Sequence, residues 1–236
     1  MERRSFLALP WFGRRKEIKA CGASFRVIRR GGTARRYLFI HGDEVTAQGV
    51  LAAHLALHDG LGYSVLNSKR TITAASGVVY DPNRMFSEEG LRRNLDRLNP
   101  TAEEWAKRAV LEIVAKDRAR FVRRLTPPGK GLLVALHNNA RGYSVKDEVA
   151  ISEEVSLKDE AHPHEFLLCT DPVDFAKLKA SPFNVVLQGK PGGEEDGSLS
   201  RLMAKRGIRY VNIEAGIGKA SEQKAMLDWV QANLPG

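Results

Sequence analysis

The sequence predicts a single-domain α/β protein in which helices cover both faces of a mainly parallel, mixed central sheet. Short apolar segments alternate along the chain with longer segments of helical periodicity, and this alternation is typical of strand–helix–strand units. Apolar residues make up 43% of the 236 residues, which is enough to bury a large core. No internal repeat or linker divides the chain. We therefore expect a three-layer α/β/α domain over residues 25–236, preceded by a basic N-terminal segment, residues 1–24.

The first half of the chain is expected to hold three strands and three helices. Residues 24–29 alternate between polar and apolar side chains, and Gly31-Gly32 predicts the turn that follows. Thr101-Ala-Glu-Glu104 has the pattern of a capping box, which predicts that a long helix begins there. Short apolar runs predict the other strands, and segments of helical spacing predict the other helices. The elements are, in order, strands 24–29 and 36–40, helix 45–57, strand 63–66, an irregular polar segment at 67–90 with a helix from Ser87, and a helix from 101 to about 124.

The second half is expected to continue this alternation after Pro127-Pro128-Gly129, which ends the long helix. Residues 131–136 are apolar throughout, as in a central strand that is buried on both faces. Asp171-Pro172 predicts a helix start, because an aspartate can cap the first turn and a proline fits there. The elements are, in order, strand 131–136, an irregular segment at 139–160, strand 166–169, a helix from Asp171-Pro172, strand 184–187, helix 198–206, strand 208–213 and helix 221–234.

The chain is basic, with 37 lysines and arginines against 28 aspartates and glutamates and a formal net charge of +9. Such a field attracts anions of many kinds, including carboxylate substrates. Neither interleaved aromatic residues nor a nucleic-acid-binding module is recognisable, so we expect no specific nucleic-acid partner. No run approaches the roughly 20 apolar residues that span a bilayer. The two cysteines, Cys21 and Cys169, make no disulfide framework, and the oligomeric state is left open.

The N-terminus has one feature of an export signal. Residues 1–9 resemble the start of a twin-arginine signal, through Arg3-Arg4 and the apolar residues that follow. A working signal needs an uninterrupted apolar stretch of roughly 7–15 residues and a cleavage site, but Pro10 interrupts this stretch and the basic segment 13–17 follows it. A cytoplasmic location is therefore favoured, with export left open.

Three predicted strands run into residues that can bind a metal or transfer protons. His41 and Glu44 follow the second predicted strand, His137 follows the fourth, and Glu214 follows the last. In open α/β sheets, functional residues collect at the carboxyl ends of the strands. Two histidines and one glutamate leave the fourth position of a tetrahedral zinc ion free for water, as in catalytic zinc sites. A carboxylate on a separate strand is then a candidate base.

The polar segment between Glu44 and His137 contains residues that are candidates for binding a substrate. Asn83 and Arg84 lie side by side there, and a guanidinium beside an amide is suited to holding a carboxylate. Arg70 is a further candidate cation, for an oxyanion that develops during a reaction. These residues predict a substrate with a free carboxylate group.

A resemblance to the zinc carboxypeptidase superfamily rests on four features: His41-x-x-Glu44, Asp81-x-Asn83-Arg84-x-Phe86, His137 after an apolar strand, and Glu214 after the last strand. That superfamily includes metallocarboxypeptidases, bacterial cell-wall peptide hydrolases and relatives of succinylglutamate desuccinylase and aspartoacylase. The resemblance covers residues 25–235. It implies that His41, Glu44 and His137 bind Zn²⁺. It further implies a substrate-binding role for Asn83 and Arg84, polarisation of the scissile carbonyl by Arg70, and a general-base role for Glu214.

The resemblance implies a zinc-dependent hydrolase that cleaves an amide bond next to a free carboxylate, in a peptide or cell-wall peptide. Two alternatives stay open: an N-acyl amino acid deacylase similar to succinylglutamate desuccinylase or aspartoacylase, and a non-catalytic binding module on the same scaffold. Aspartoacylase-like members carry an extra β domain after the glutamate, whereas only a short segment follows Glu214, which favours the peptidase. The loop 190–197 lacks the tyrosine that carboxypeptidases have in this region, so Tyr143 and Tyr80 are considered in its place.

Four other groups of residues are weighed as sites and set aside. Ala161-His-Pro-His-Glu165 is rich in potential ligands, but such short segments are more often incidental than metal-binding. Cys169 ends an apolar run and is expected to be a buried, inert thiol. His54 and His58 lie four residues apart on a predicted helix and are interpreted as residues at the boundary between core and solvent. The acidic triplet Glu194-Glu195-Asp196 is expected to be solvated rather than to meet a substrate amino group.

Overall fold

The computed structural model describes residues 16–139 and 142–236 of the chain. The strands are β1 (Lys16–Ala20), β2 (Ala23–Arg30), β3 (Arg36–Phe39), β4 (Gly60–Val65), β5 (Ile72–Thr73), β6 (Val79–Tyr80), β7 (Leu133–Asn139), β8 (Glu154–Ser156), β9 (Phe166–Cys169), β10 (Asn184–Leu187) and β11 (Tyr210–Gly216). The helices are α1 (Val45–Leu57), α2 (Glu88–Leu98), α3 (Glu104–Leu125), α4 (Val145–Val149), α5 (Pro172–Leu178), α6 (Leu199–Lys205) and α7 (Ala220–Asn233), with a 3-10 helix at Pro82–Arg84.

Nine strands form one sheet in the order β1-β2-β4-β3-β7-β11-β9-β10-β8, and β5 pairs with β6 in a separate two-stranded sheet. In the middle of the large sheet, β4, β3, β7 and β11 run parallel to one another, whereas β9 runs antiparallel to β11. The outer pairs β1–β2, β2–β4 and β10–β8 are antiparallel. The predicted mixed α/β fold is confirmed, and its parallel centre brings the carboxyl ends of β3, β7 and β11 to one edge.

Helices cover both faces of this sheet, as the alternating side chains of β3 show. Tyr37 packs against His54 of α1, with ring centroids 5.3 Å apart. Leu38 points to the opposite face, where it lies level with Tyr63 of β4. Tyr63 in turn contacts Phe121 of α3. Since α1 packs with α7 and α2 packs with α3, the chain forms the predicted three layers, and β7, β9 and β10 are buried along their whole length.

The start of the long helix α3 differs from the prediction. The helix begins at Glu104, and Thr101 does not cap it. The Ala102 N–H instead donates to the Asn99 carbonyl at 3.2 Å and closes a turn. The chain therefore enters the helix only after this turn, and the predicted capping box does not form.

Two segments that were predicted to be irregular contain short elements. Residues 139–160 include α4, which begins with a capping box formed by Ser144 and Asp147, and β8, which adds to the sheet by pairing with β10. Residues 67–90 include β5, β6 and the 3-10 helix. These elements are short, β5 and β6 pair only with each other, and β8 depends on β10, so their own sequences carry little signal.

The basic segment assigned to residues 1–24 is described from residue 16 onward. Strand β1 lies within it and forms one edge of the large sheet, paired with β2. The Arg3-Arg4 pair of the export-like start lies outside the described residues. Among the described residues, no helix combines the length and apolar character needed to cross a bilayer.

Candidate metal centre

Three side chains with metal-binding groups converge at the carboxyl edge of the parallel strands. His41 follows β3, Glu44 directly precedes α1, and His137 lies two residues before the end of β7. All three residues are buried. They come from two separate places in the chain, the corner at 41–44 and strand β7, and the fold gathers them into a group whose ligand atoms could hold one metal ion.

The corner between His41 and Glu44 depends on a glycine. The Gly42 N–H donates to the Lys69 carbonyl at 3.1 Å, which brings the two backbone segments together. A Cβ atom at Gly42 would lie 1.8 Å from the Asn67 carbonyl oxygen, far inside van der Waals contact. Glycine therefore allows the chain to turn here and to direct both ligand side chains to the same point.

The donor atoms of the three side chains have the separations expected around one metal ion. His41 Nδ1 lies 2.8 Å from Glu44 Oε1 and 3.2 Å from His137 Nδ1. His137 Nδ1 lies 3.2 Å from Glu44 Oε2, a buried oxygen that makes no hydrogen bond within the described part of the chain. A tetrahedral zinc ion with bonds of about 2.0–2.1 Å to nitrogen separates its ligand atoms by about 3.3 Å. The residues present therefore fit a small divalent cation.

Asp81 holds the His41 ring from its other side. Asp81 Oδ1 lies 2.8 Å from His41 Nε2 and accepts a hydrogen bond from it. A proton on Nε2 leaves Nδ1, the nitrogen that faces Glu44 and His137, as the one that can bind a metal. Metal-ligating histidines commonly have such a carboxylate partner. Sequence reasoning assigned no role to Asp81, although its place at the head of the Asp81-x-Asn83-Arg84 motif was a signal.

Ionised carboxylates and imidazole rings lie close together in this centre and shift one another's pKa. Burial opposes the charged form of His41, but hydrogen bonds with Asp81 and Glu44 raise its pKa to about 9. Burial also opposes ionisation of these two carboxyl groups, yet the neighbouring histidines hold the pKa of both below its usual range. Two ionised carboxylates enclosed with imidazole rings favour a cation between them.

Arg70 lies against both of these carboxylates. Its Nη1 donates to Glu44 Oε1 at 2.8 Å, and its Nε lies 3.6 Å from Asp81 Oδ2. The Arg70 side chain is 48% exposed, so it approaches the centre from the solvent side. The residue predicted to polarise a carbonyl is thus beside the centre, with its guanidinium bound to protein carboxylates.

Glu214 lies on β11, level with His137 on β7. Both residues belong to their strands rather than following them, because the pairing of β7 with β11 continues to Asn139 and Gly216. The Glu214 carboxylate is buried, and Asn212 Nδ2 donates to its Oε1 at 2.9 Å. Burial is the main reason that the pKa of Glu214 is raised, while the nearby His137 opposes the shift. The predicted base therefore lies beside a predicted ligand, on the same face of the sheet.

Asn83 and Arg84, the predicted substrate-binding residues, lie in the 3-10 helix that directly follows Asp81. Asn83 Oδ1 accepts the Leu199 N–H at 3.2 Å. Arg84 Nη1 lies 3.3 Å from Asp196 Oδ2. Asn83 thus contacts the first residue of α6, Arg84 contacts the loop before it, and the Arg84 guanidinium is already paired with a carboxylate.

The acidic triplet belongs to a loop, residues 190–198, that packs beside α2. Glu194 forms an ion pair with Arg93 of α2, and Asp196 pairs with Arg84 and Arg201. Arginines from three parts of the chain thus surround the loop, while the triplet stays in contact with solvent, since the Glu194 side chain is 85% exposed and that of Asp196 is 43% exposed. The positions of these arginines depend on the tertiary fold and leave no local pattern.

Of the two tyrosines considered from the sequence, Tyr143 lies near the centre and Tyr80 does not. Burial raises the pKa of Tyr143, the charge of Glu214 adds to this shift, and Arg84 opposes it. Its hydroxyl donates to Glu148. The Tyr80 hydroxyl donates to the Cys21 carbonyl within the core.

The other side chains weighed as sites have different partners. Burial raises the pKa of Cys169 well above its usual value, as expected for an inert thiol. Within the described residues, the histidine-rich segment 161–165 contributes to no group that could hold a metal. Its side chains bind separately: His162 to Asp159, His164 to the Tyr143 carbonyl, and Glu165 to the Gly216 N–H.

Comparison with known proteins identifies no family for this chain. No protein-family model matches the sequence, and no curated protein does. Among solved structures, the chain is similar to a "putative metallopeptidase" from Shewanella amazonensis SB2B, at 13% identity and a TM-score of 0.44, covering 94% of this chain and 88% of that one. A protein of the same name from Shewanella denitrificans OS217 has 11% identity and a TM-score of 0.47, with 94% and 85% covered. The N-formylglutamate amidohydrolase from Ralstonia eutropha JMP134 has 12% identity and a TM-score of 0.41, with 89% and 96% covered. Likeness at this level carries no argument about function, which rests on the geometry of the candidate centre.

Proposed function

We propose that this protein is a metal-dependent hydrolase and, more narrowly, a zinc enzyme of carboxypeptidase type that cleaves an amide bond next to a free carboxylate. The observation that carries the proposal is the convergence of His41, Glu44 and His137 on one point, with Glu214 buried alongside. Two histidines and a carboxylate form the donor set of many catalytic zinc sites. Zinc held by these residues would supply a Lewis acid for the substrate carbonyl and for a water molecule.

The residues around the ligands would keep the centre in place. Asp81 would hold a proton on His41 Nε2 and so fix the ring. Arg70 would balance the charge of Glu44 and Asp81 on their outer side, through the contacts it already makes. When a substrate carbonyl enters, the same guanidinium would be close enough to share its hydrogen bonds with the carbonyl oxygen.

Glu214 would act first as the general base and then as the general acid. Its Oε1 accepts a hydrogen bond from Asn212, which leaves Oε2 to take a proton from the attacking water and to return it to the leaving amine. Because the carboxylate is buried, its proton affinity is higher than that of an exposed glutamate. This suits Glu214 to hold the proton between the two steps.

Arg84 and Asn83 would hold the substrate carboxylate. Arg84 already pairs with the carboxylate of Asp196 at 3.3 Å, so an anion fits this position. Asp196 is 43% exposed, and an ion pair open to solvent contributes little to stability. A substrate carboxylate could therefore replace Asp196 on the guanidinium, with the charge-assisted bonds that arginine forms to carboxylates.

Zinc binding and hydrolysis of paired substrates test the proposal together. We expect this centre to bind one zinc ion, which is lost in His137→Ala and kept in His162→Ala, a matched change at an exposed histidine outside the centre. With zinc bound, an N-blocked dipeptide with a free C-terminal carboxylate should be hydrolysed. The same dipeptide with an amidated C-terminus should be a poor substrate, because it lacks the charge that Arg84 binds.

Other results would change or overturn the proposal. Equal hydrolysis of the free and amidated dipeptides would contradict the binding of the substrate carboxylate by Arg84 and Asn83. Hydrolysis of N-acyl amino acids but not of dipeptides would identify the deacylase instead. Normal zinc binding with no hydrolysis of either class would favour the binding module. A zinc stoichiometry that does not fall by one equivalent after loss of both His41 and His137 would contradict the centre itself.

A further inference from the structure

A second set of metal-binding side chains lies on the other face of the sheet, between α1 and α7. His54 lies in the last turn of α1, His58 caps that helix, and Asp228 lies on α7. The ligand atoms of the three side chains all lie within 4.8 Å of one another. His137 and Ala135 lie two residues apart on β7, so their side chains point to the same face of the sheet. Ala135 lies level with Leu38, whose side chain points to the α3 face. The second set is therefore separate from the candidate metal centre.

His54 is held in place by a tyrosine beneath it. It is 5% exposed, and its Nε2 lies 2.9 Å from the Tyr37 hydroxyl. Tyr37 donates its own hydrogen to Gln231 Oε1 at 3.1 Å, so the hydroxyl oxygen accepts a hydrogen bond from His54 Nε2. A hydrogen on Nε2 leaves the lone pair on Nδ1. His54 therefore has the protonation and the fixed ring that a metal-binding histidine needs.

His58 and Asp228 complete the set from the solvent side. The His58 ring stacks on the His54 ring, with centroids 4.4 Å apart and an interplanar angle of 27°. Asp228 forms an ion pair with Lys224, one helical turn earlier on α7, and both of these side chains are partly exposed. A solvent-exposed pair of this kind contributes little, so Lys224 is a weak competitor for the Asp228 carboxylate.

We propose that His54, His58 and Asp228 bind a divalent transition-metal ion, which links α1 to α7. Imidazole ligands suit zinc, copper and nickel, whereas calcium and magnesium prefer oxygen ligands. The ligand atoms must approach one another to reach the separation of about 3.3 Å found around zinc. An ion lies in the plane of the imidazole ring that binds it, so the His58 ring must also turn out of its stack on His54. The exposed ends of His58 and Asp228 can make this movement while Tyr37 holds His54. Two histidines alone were interpreted as boundary residues because the third ligand lies far along the chain.

Zinc titration of the metal-stripped, full-length protein by calorimetry tests this site. We expect two equivalents of zinc for the unaltered protein and one for His58→Ala or Asp228→Asn, which replace partly exposed side chains. The control His162→Ala should still bind two equivalents. Lys224→Gln should bind the second equivalent more tightly, because the competing ammonium group is gone. Hydrolysis should be unchanged in all four variants.

The two zinc sites are separated by a variant in which His41 and His137 are both changed to alanine. This variant should keep one equivalent, and zinc should raise its melting temperature in circular dichroism. Adding His58→Ala should remove that equivalent and the rise in melting temperature. The proposal is overturned if His58→Ala and Asp228→Asn bind zinc with the stoichiometry and affinity of the unaltered protein, or if the His41 and His137 variant folds and binds no zinc.

Discussion

His41 is the residue on which the geometry of the candidate centre depends most. Its Nδ1 faces Glu44 and His137, and its Nε2 faces Asp81. A buried ring that is hydrogen-bonded at both nitrogens has little freedom to rotate. The orientation of the first ligand is therefore set by the protein, and Asp81 is the residue that sets it.

Asp81→Asn should weaken zinc binding by about 10–100-fold, the usual cost of losing a carboxylate partner of a metal-binding histidine. The amide is a weaker acceptor for His41 Nε2 and removes a negative charge from the centre. Competition against a chromophoric chelator measures the affinity. Asp96→Asn is a matched control, since Asp96 binds Lys107 at the surface. Equal zinc affinity in the two variants would contradict the role of Asp81.

Glu214→Gln should keep the fold and the zinc but lower kcat by about 10²–10⁴-fold, the usual contribution of a general base. The glutamine oxygen can still accept the hydrogen bond from Asn212, so packing in β11 should survive. It cannot take up a proton at neutral pH. The measurement pairs kcat with the melting temperature. Near-normal turnover together with a lower melting temperature would show that Glu214 is a structural residue.

At the scale of elements, local patterns predict the structure where a segment carries its own signal. The bounds of α1, β9 and β10 match the predicted ones because apolar runs of fixed length and spacing define them. The strands β7 and β11 continue past their predicted ends because they pair with each other. The strand β8 exists because β10 offers it an edge. A single segment does not contain this information.

In the candidate site as well, some contacts follow from local sequence patterns and others depend on the tertiary fold. The placement of His41 and His137 at strand ends predicts that they meet, since parallel strands end at one edge. The contact of Asp81 with His41 and the pairing of Asp196 with Arg84 depend on how two long loops fold over the sheet. Loop paths of this kind are set by tertiary contacts rather than by local sequence.

Gly42→Ala should disrupt the corner that joins β3 to α1. The added Cβ would lie 1.8 Å from the Asn67 carbonyl oxygen, so the backbone must move and the two ligands on either side must separate. We expect a lower melting temperature and loss of the zinc equivalent that His41, Glu44 and His137 bind. Gly49→Ala is the matched control, because no atom lies within 4 Å of its Cβ position on α1. That change should be neutral or stabilise the helix by about 1 kcal/mol. Similar behaviour of the two variants would contradict the role of the corner.

At the scale of the whole molecule, the large sheet joins elements that carry metal-binding groups on both of its faces. The candidate centre draws its residues from β3, β7 and the segment between β4 and α2. An ion bound there would connect parts of the chain that are distant in sequence. Because an ion that binds only the folded state stabilises it by mass action, metal binding and folding should be coupled.

Zinc should therefore raise the melting temperature, and a chelator should lower it again. At a free zinc concentration 100 times the Kd, each site adds about 2.7 kcal/mol, which corresponds to about 5–10 °C for a chain of this size. Differential scanning calorimetry measures the shift. Magnesium should give little effect, because the donor set contains imidazole nitrogens. Equal stabilisation by magnesium and zinc would contradict a histidine-based centre.

The central claim is that His41, Glu44 and His137 hold one metal ion. Anomalous X-ray scattering at the zinc edge, from crystals of the zinc-loaded protein, tests it most directly. We predict a peak about 2.0–2.1 Å from His41 Nδ1 and His137 Nδ1, in contact with the Glu44 carboxylate and absent from crystals of His137→Ala. A zinc-loaded crystal in which these three side chains coordinate no metal would contradict the account.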